Sequence, residues 1–272
     1  MQHRISIDGC ERVIDIRAMD EDFIVYRKMY QPPLTRDNIG KVNPGDWAEH
    51  LEKFRKNGWQ ELIKEFLRKQ ICAIGSCAIL AWDGDGVIGK MYFSTKELWD
   101  ACRKADCWLC VENESMPKFI QSLSDSQLAE LLHSPTRTLR IICYNIGHQD
   151  ERYHGHGIAR AMIEYLKQWA SQRGWRRLIA EACPDITPTM CCGPNNPRRG
   201  QLERCGFHVL EESRIPPKEA EWRLGVIEEL IAGKRDWPAW AAHYVQNFER
   251  ILASNPSWRA EYDKEYLMVC TF

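Results

Sequence analysis

The chain has 272 residues, of which 44% are hydrophobic and 28% charged, with a formal net charge of −1. That balance suits a globular protein with a sizeable core and excludes a general electrostatic pull toward nucleic acid or an anionic membrane surface. The first residues, MQHRISIDGCERV, lack the apolar run of a secretory signal, and no stretch reaches the roughly 20 apolar residues that span a bilayer, so a cytoplasmic location is expected.

The alternating segment ERVIDIRAM (11–19) predicts a strand. DEDFIVYRKMY (20–30), opened by acidic residues, predicts a helix, and QPPLTRDNIGKVNPG (31–45) reads as a loop. A helical pattern then runs through Trp47, Leu51 and Phe54 and resumes at Leu62 and Phe66, with Gly58 dividing it into two helices. CAILAW (77–82) and VIGKMYF (87–93) flank Asp83-Gly84-Asp85-Gly86, a hairpin signal. Helices follow over about 96–104 and 124–133, the second with Ser124 and Gln127 at the spacing of a capping box.

TLRIICYNIG (138–147) is rich in β-formers and leads into RYHGHGIARAMIEYLKQWA (152–170). The helix predicted over 157–172 sets Ile158, Met162, Tyr165, Leu166 and Trp169 on one face and stops at Gly174. A strand at 176–182, a loop rich in proline and cysteine, a short helix ending at Cys205-Gly206-Phe207 and a strand at 208–212 come next. Pro216-Pro217 opens a helical pair over 215–258 that carries Trp222, Trp237, Trp240, Tyr244 and Phe248, and EYLMVCTF (265–272) closes the chain as a strand. This order describes an α/β (α+β) fold, a sheet covered by helices.

Strand, glycine turn and helix start together form an anion site, because orphan amides and the helix dipole meet there and glycine lets the backbone approach phosphate oxygens. Gly155 and Gly157 are then explained by a pyrophosphate over residues 155–160; a plain glycine turn is the other explanation. YHGHGIARAMIEYLKQWA resembles the acetyl-CoA pyrophosphate loop of the GNAT superfamily of N-acyltransferases, Gln/Arg-x-x-Gly-x-Gly/Ala. The pattern falls on His154, Gly155, His156, Gly157, Ile158 and Ala159, with His154 where the family has Gln or Arg. RRLIAEA, Asn195 and NPRRGQLERCGF repeat the family's next strand, asparagine and short helix ending in Gly-Phe.

The resemblance implies a single domain over 1–272 with a central mixed, mostly antiparallel twisted sheet, residues 215–258 being a helical insertion before the last strand. It implies transfer of an acetyl or similar acyl group from acyl-CoA to a primary amine of a small molecule or protein, by direct attack on the thioester. Ile146, Gly147, His154, Gly155, His156, Gly157, Ile158, Ala159, Arg160 and Asn195 would contact the cosubstrate, and a backbone amide near Tyr144–Gly147 would meet the thioester carbonyl. Glu181 is the first candidate for the base, against a solvent-facing or arginine-paired carboxylate, and His148 is the second. The position where many relatives carry the acidic Tyr is Leu202, which leaves Tyr144 or Cys205 as substitutes.

Twelve cysteines in a chain without a secretory signal are expected as thiols rather than disulfides, and Cys72, Cys77, Cys143 and Cys270 lie in apolar runs as small hydrophobes. Cys107-Trp-Leu-Cys110 is a Cys-x-x-Cys pair, but a four-cysteine zinc site needs a second, and in the trio Cys183, Cys191 and Cys192 the second pair is adjacent rather than spaced by two, so no metal is expected. Expected partners are acyl-CoA and an amine, with no nucleic acid or membrane; the aromatic residues of 215–258 are expected in core or homodimer packing, or in a lid over the acceptor. The rival functions are a non-catalytic acyl-CoA sensor and a thiol- or metal-dependent regulator on the same fold.

Overall fold

A computed structural model of the chain describes residues 1–26, 56–107, 109, 114–146, 150–188, 197–233 and 242–272, with only the backbone of 151 and 242–247. They form two compact units, Met1–Arg176 with Phe272, and Arg177–Thr271.

The first unit is built on five strands, each antiparallel to the next: β1 (Gln2–Ile7), β2 (Cys10–Ala18), β3 (Ala78–Asp83), β4 (Gly86–Thr95) and β5 (Thr138–Ile146). Strand β1 is absent from the sequence reading; it alternates, burying Ile5 and Ile7, and turns into β2 through Asp8 and Gly9, both at positive φ. The Asp-Gly signal at 83–86 is a two-residue hairpin in which Asp83 pairs with Gly86 and Gly84 takes a φ of 60°. On β5 the register skips Ile142, since Tyr92 pairs with Cys143 but Phe93 with Ile141. That bulge re-aims the last residues of β5.

Helix α1 (Trp59–Ile74) lies between two left-handed glycines, Gly58 and Gly75, and buries Ile63, Phe66, Leu67, Ile71 and Ile74. Its one buried polar residue, Gln70, donates to the Tyr92 hydroxyl at 2.9 Å and accepts from Ser94 at 2.8 Å, so its burial leaves no amide unsatisfied. Helix α2 (Lys96–Lys104) is capped by Thr95, and α4 (Asp125–His133) by the Ser124–Gln127 capping box that the spacing predicts. Helix α3 (Ser115–Ser122), which carries Pro117 in its first turn, is not evident in the sequence. Helix α5 (Ile158–Gln172) buries Ile158, Met162, Leu166 and Trp169 as its pattern predicts.

The predicted helix at 20–30 does not begin as one. Asp20–Tyr26 is turn and irregular chain, with Phe23, Ile24, Val25 and Tyr26 buried consecutively, which helical steps of about 100° cannot place on one face. Asp20 opens a turn instead, its Oδ1 accepting from the Phe23 amide at 3.2 Å. Cys72 is exposed rather than buried, because it points off the apolar stripe of α1. The helix through Trp47, Leu51 and Phe54, and the loop before it, lie outside the described residues.

The second unit holds β6 (Arg177–Ala182), β7 (His208–Arg214) and β8 (Lys264–Thr271) in the order β6-β8-β7, all antiparallel. Around them stand α6 (Arg199–Glu203), α7 (Pro217–Ile231) and α8 (Ala242–Ser254). The segment 215–258 provides this unit's core: Val226, Ile227, Leu230, Phe248 and Trp258 pack with Ile186. Trp222 is 50% exposed and so is not part of this core, and Trp237 and Trp240 lie outside the described residues. Arg223 is fully buried, donating to the carbonyls of Tyr262 at 3.1 Å and Lys264 at 3.3 Å and to Glu219 at 3.4 Å, so α7 is pinned to the entry of β8. No helix among the described residues is long and apolar enough to cross a membrane.

Gly200 marks a tight approach. The Asp185 carboxylate accepts from its amide at 3.1 Å, and a Cβ there would stand 2.6 Å from Asp185 Oδ2. Gly200→Ala is expected to destabilise the protein by about 1–3 kcal/mol through loss of that bond. Chemical denaturation of the two proteins checks it; an unchanged midpoint would contradict it.

Candidate functional site

The predicted phosphate loop begins where β5 ends. Tyr144, Asn145 and Ile146 are half-buried and pair with Met91, Lys90 and Gly89, and Gly147 and His148 lie outside the described residues, as does Asn195. Gly89 has no room for a side chain: a Cβ would meet Ala81 at 3.2 Å and both Ile146 and the Met162 sulfur at 3.4 Å. Helix α5 therefore sits close on the strands that deliver the loop.

After a 3-10 turn at Glu151–Tyr153, the chain enters the left-handed region twice, at Gly155 (φ 79°) and Gly157 (φ 76°). A Cβ at Gly155 would touch nothing within 4 Å, so the backbone angle, not packing, demands glycine there. Gly157 is the N-cap of α5, and the first helical bond runs from the Ala161 amide to its carbonyl at 3.0 Å. The amides of Gly157, Ile158, Ala159 and Arg160 thus have no carbonyl within the helix. Among the described residues no side chain caps them, and no acidic residue stands in the first turn. Helix α1 also starts at a left-handed glycine, but it carries Glu61 in its first turn, whereas α5 carries Arg160, a cation at the positive end of a dipole. An anion at this point satisfies both the amides and the arginine.

Three side chains tether the turn. His154 donates Nε2–H to the carbonyl of Ile146 at 2.8 Å, which ties the turn to the last residue of β5. Tyr153 donates its hydroxyl to Asp83 at 2.8 Å, and Arg12 donates to the same carboxylate oxygen at 2.6 Å. His3, from β1, donates to the carbonyl of His156 at 2.7 Å. Burial first, and then donation to Asp83, pushes the Tyr153 phenol up to about 12. Arg152 clamps Asp150 with two bonds, 2.9 and 2.7 Å, which holds that carboxyl below the usual range.

In the second unit, Glu181 is half-buried on β6 opposite Leu267. Glu265, two residues along β8 on the same face, has its carboxyl raised by burial and then by the charge of Glu181, against the opposing pull of Arg223. Leu202 and Cys205 are both buried. Among the described residues no disulfide forms and no three His, Cys, Asp or Glu side chains cluster to hold a metal; Cys110, Cys191 and Cys192 lie outside them.

No family model and no curated protein matches the chain. It resembles solved acetyltransferases. An agmatine N-acetyltransferase shares 12% identity, covering 95% of this chain and 99% of that one, at a TM-score of 0.41. A GNAT-family acetyltransferase from Streptococcus pneumoniae shares 11%, covering 95% and 99%, at 0.41. Ard1 from Thermoplasma volcanium shares 8%, covering 95% and 97%, at 0.39.

The sequence pointed to the glycines and the helix start but not to Asp83, which reads there as a turn residue, nor to His3, which lies on the strand that was missed. Tyr153→Phe is expected to lower stability by about 1.5–3 kcal/mol, the value of a donated bond to a charged acceptor. A phenol whose folded pKa is raised contributes stability present below its ordinary value of 10.0 and lost as pH climbs to about 12. The gap between wild type and Tyr153→Phe in denaturant titrations should therefore hold up to about pH 10 and close toward pH 12. A gap constant across that window would contradict the tether.

Proposed function

We propose that the protein is an N-acyltransferase that moves an acetyl or similar acyl group from acyl-CoA to a primary amine of a small molecule or protein. The observation that carries the reading is the start of α5: two left-handed glycines, four amides without a helical partner, no capping side chain and Arg160 in the first turn. Those features fit a pyrophosphate, with Gly155 open to its approach. The same reading treats residues 1–272 as one cytoplasmic acyltransferase domain, with 215–258 inserted.

The chemistry sets four tasks. Holding the acyl-CoA falls to the amides of Gly157, Ile158, Ala159 and Arg160, with Gly147 and Asn195 as further proposed contacts. An ammonium with a pKa near ~10.4 must lose a proton before it attacks, and Glu181 is the proposed base, with His148 second. As the amine adds, the thioester oxygen gathers negative charge, which a backbone amide near the end of β5 would meet; such a donor contributes several kcal/mol. The CoA thiolate then leaves. With a thiol pKa near ~8.5 it departs without a strong acid, and Tyr144, half-buried on β5, is the proposed donor.

One observation favours a second reading, an acyl-CoA sensor that does not turn over. Leu202 stands, fully buried, where many relatives have a tyrosine, and it has no proton to give. Binding without acyl transfer to any amine would select it.

Calorimetric titration with acetyl-CoA tests the proposal. The wild type should bind, and Gly157→Trp, forced to a φ of 76° with an indole over the amides, should bind at least ~10-fold more weakly while keeping its circular dichroism spectrum. Glu181→Gln should keep its acetyl-CoA affinity and lose about 100-fold or more in kcat, in the range of general-base catalysis. A folded wild type that binds no acetyl-CoA would overturn the reading.

A further inference from the structure

We infer that His3 is a positioning residue for the phosphate turn: by holding the carbonyl of His156 it keeps the amide of Gly157 aimed at the bound anion. The inference rests on the acyl-CoA reading for its functional consequence, and on geometry for the tether itself.

His3 lies on β1 opposite Ile14, 153 residues from its partner in sequence, and its Nε2 stands 2.7 Å from the His156 oxygen. A carbonyl only accepts, so Nε2 carries the proton. The same ring borders Gly157, where an added Cβ would come within 3.7 Å of Nε2 and 3.8 Å of Cε1. In a trans peptide the carbonyl of one residue and the amide of the next point in opposite directions. Fixing the His156 oxygen on His3 therefore fixes the Gly157 N–H on the other side.

That peptide needs fixing. It joins His156 to Gly157, and Gly157, whose missing Cβ makes the left-handed turn possible, equally offers little resistance to its rotation. A flip would replace the donor facing the anion by a carbonyl oxygen, turning attraction into repulsion. The other tethers act elsewhere. Tyr153 and His154 hold the chain before Gly155, and the helical bond from Ala161 holds the carbonyl of Gly157, not its amide. Among the described residues, the His3 bond is the one that engages the His156 carbonyl.

The test uses the full chain with His3→Ala, which removes the donor, and His3→Gln, whose amide N–H can reach the same carbonyl. Two quantities are read: NMR order parameters of the Gly155–Ile158 amides without ligand, and the calorimetric Kd for CoA. The account expects His3→Ala to lower the order parameters from a rigid ~0.85 toward ~0.6. It expects CoA to bind about 3- to 10-fold more weakly, the equivalent of one lost hydrogen bond. Turnover at saturating acetyl-CoA should not change, and His3→Gln should recover most of both losses, which a merely structural role for the ring would not allow.

Order parameters and Kd that stay at wild-type values in His3→Ala would overturn the inference, as would a His3→Gln variant as impaired as His3→Ala. If His3→Ala fails to fold, the folded His3→Gln decides by the same two readings. A wild type that binds no CoA would sink the acyl-CoA reading alone. The ligand-free order parameters of the variants would then still uphold the tether, if they fall and recover, or overturn it, if they do not move.

Discussion

Helix α5 begins with amides that have no helical partner and, among the described residues, no capping side chain, and several contacts of the first unit converge on that end. A serine or aspartate at the N-cap would satisfy an amide at once, as Thr95 and Ser124 do for α2 and α4. At α5 the position is Gly157, in a conformation that side-chain-bearing residues rarely adopt. The turn gives up local stability, since glycine has the most conformational freedom to lose on folding and an uncapped N-terminus leaves donors unpaired. The surrounding structure supplies the order that the turn lacks: the bulge on β5, the close seat of Met162 against Gly89, a carbonyl anchor on β5, a carboxylate anchor on β3 and an imidazole donor on β1.

Those anchors show what a sequence conceals. Elements decided by neighbours in the chain were legible: the hairpin at Asp83–Gly86, the capping box at Ser124 and Gln127, the helix over Lys96–Lys104 and the amphipathic face of α5 all match their local signals. The misreading at Asp20–Tyr26 has the same origin. Acidic residues before an apolar run suit a helix start, but the four buried residues that follow answer to tertiary packing and not to helical periodicity. Strand β1 was missed because only Ile5 and Ile7 carry its alternation, and α3 because Pro117 reads as a breaker when it in fact sits in a first turn, where proline is tolerated. The contacts that shape the site join residues 70 and 153 positions apart, and no local pattern encodes them.

The second unit solves a different problem. Arg223 is fully buried, and its charge is met by backbone carbonyls and by Glu219, with Glu265 at 3.9 Å. Breaking such a group from its partners is costly, so α7 and the start of β8 are held together by an interaction that tolerates little change. Glu265 stands between this buried cation and Glu181 on the neighbouring strand, its carboxyl raised by burial and then by the charge of Glu181. The segment 215–258 is thereby tied, through Arg223, to the start of β8, the strand that carries Glu265 and pairs with the strand of Glu181.

The central claim is that the amides of Gly157–Arg160 bind the pyrophosphate of an acyl-CoA. A crystal structure of the protein grown with CoA tests it most directly. The account predicts pyrophosphate oxygens within hydrogen-bonding distance, about 2.7–3.2 Å, of those amides. A CoA bound with its pyrophosphate elsewhere, and the start of α5 facing only solvent, would contradict it.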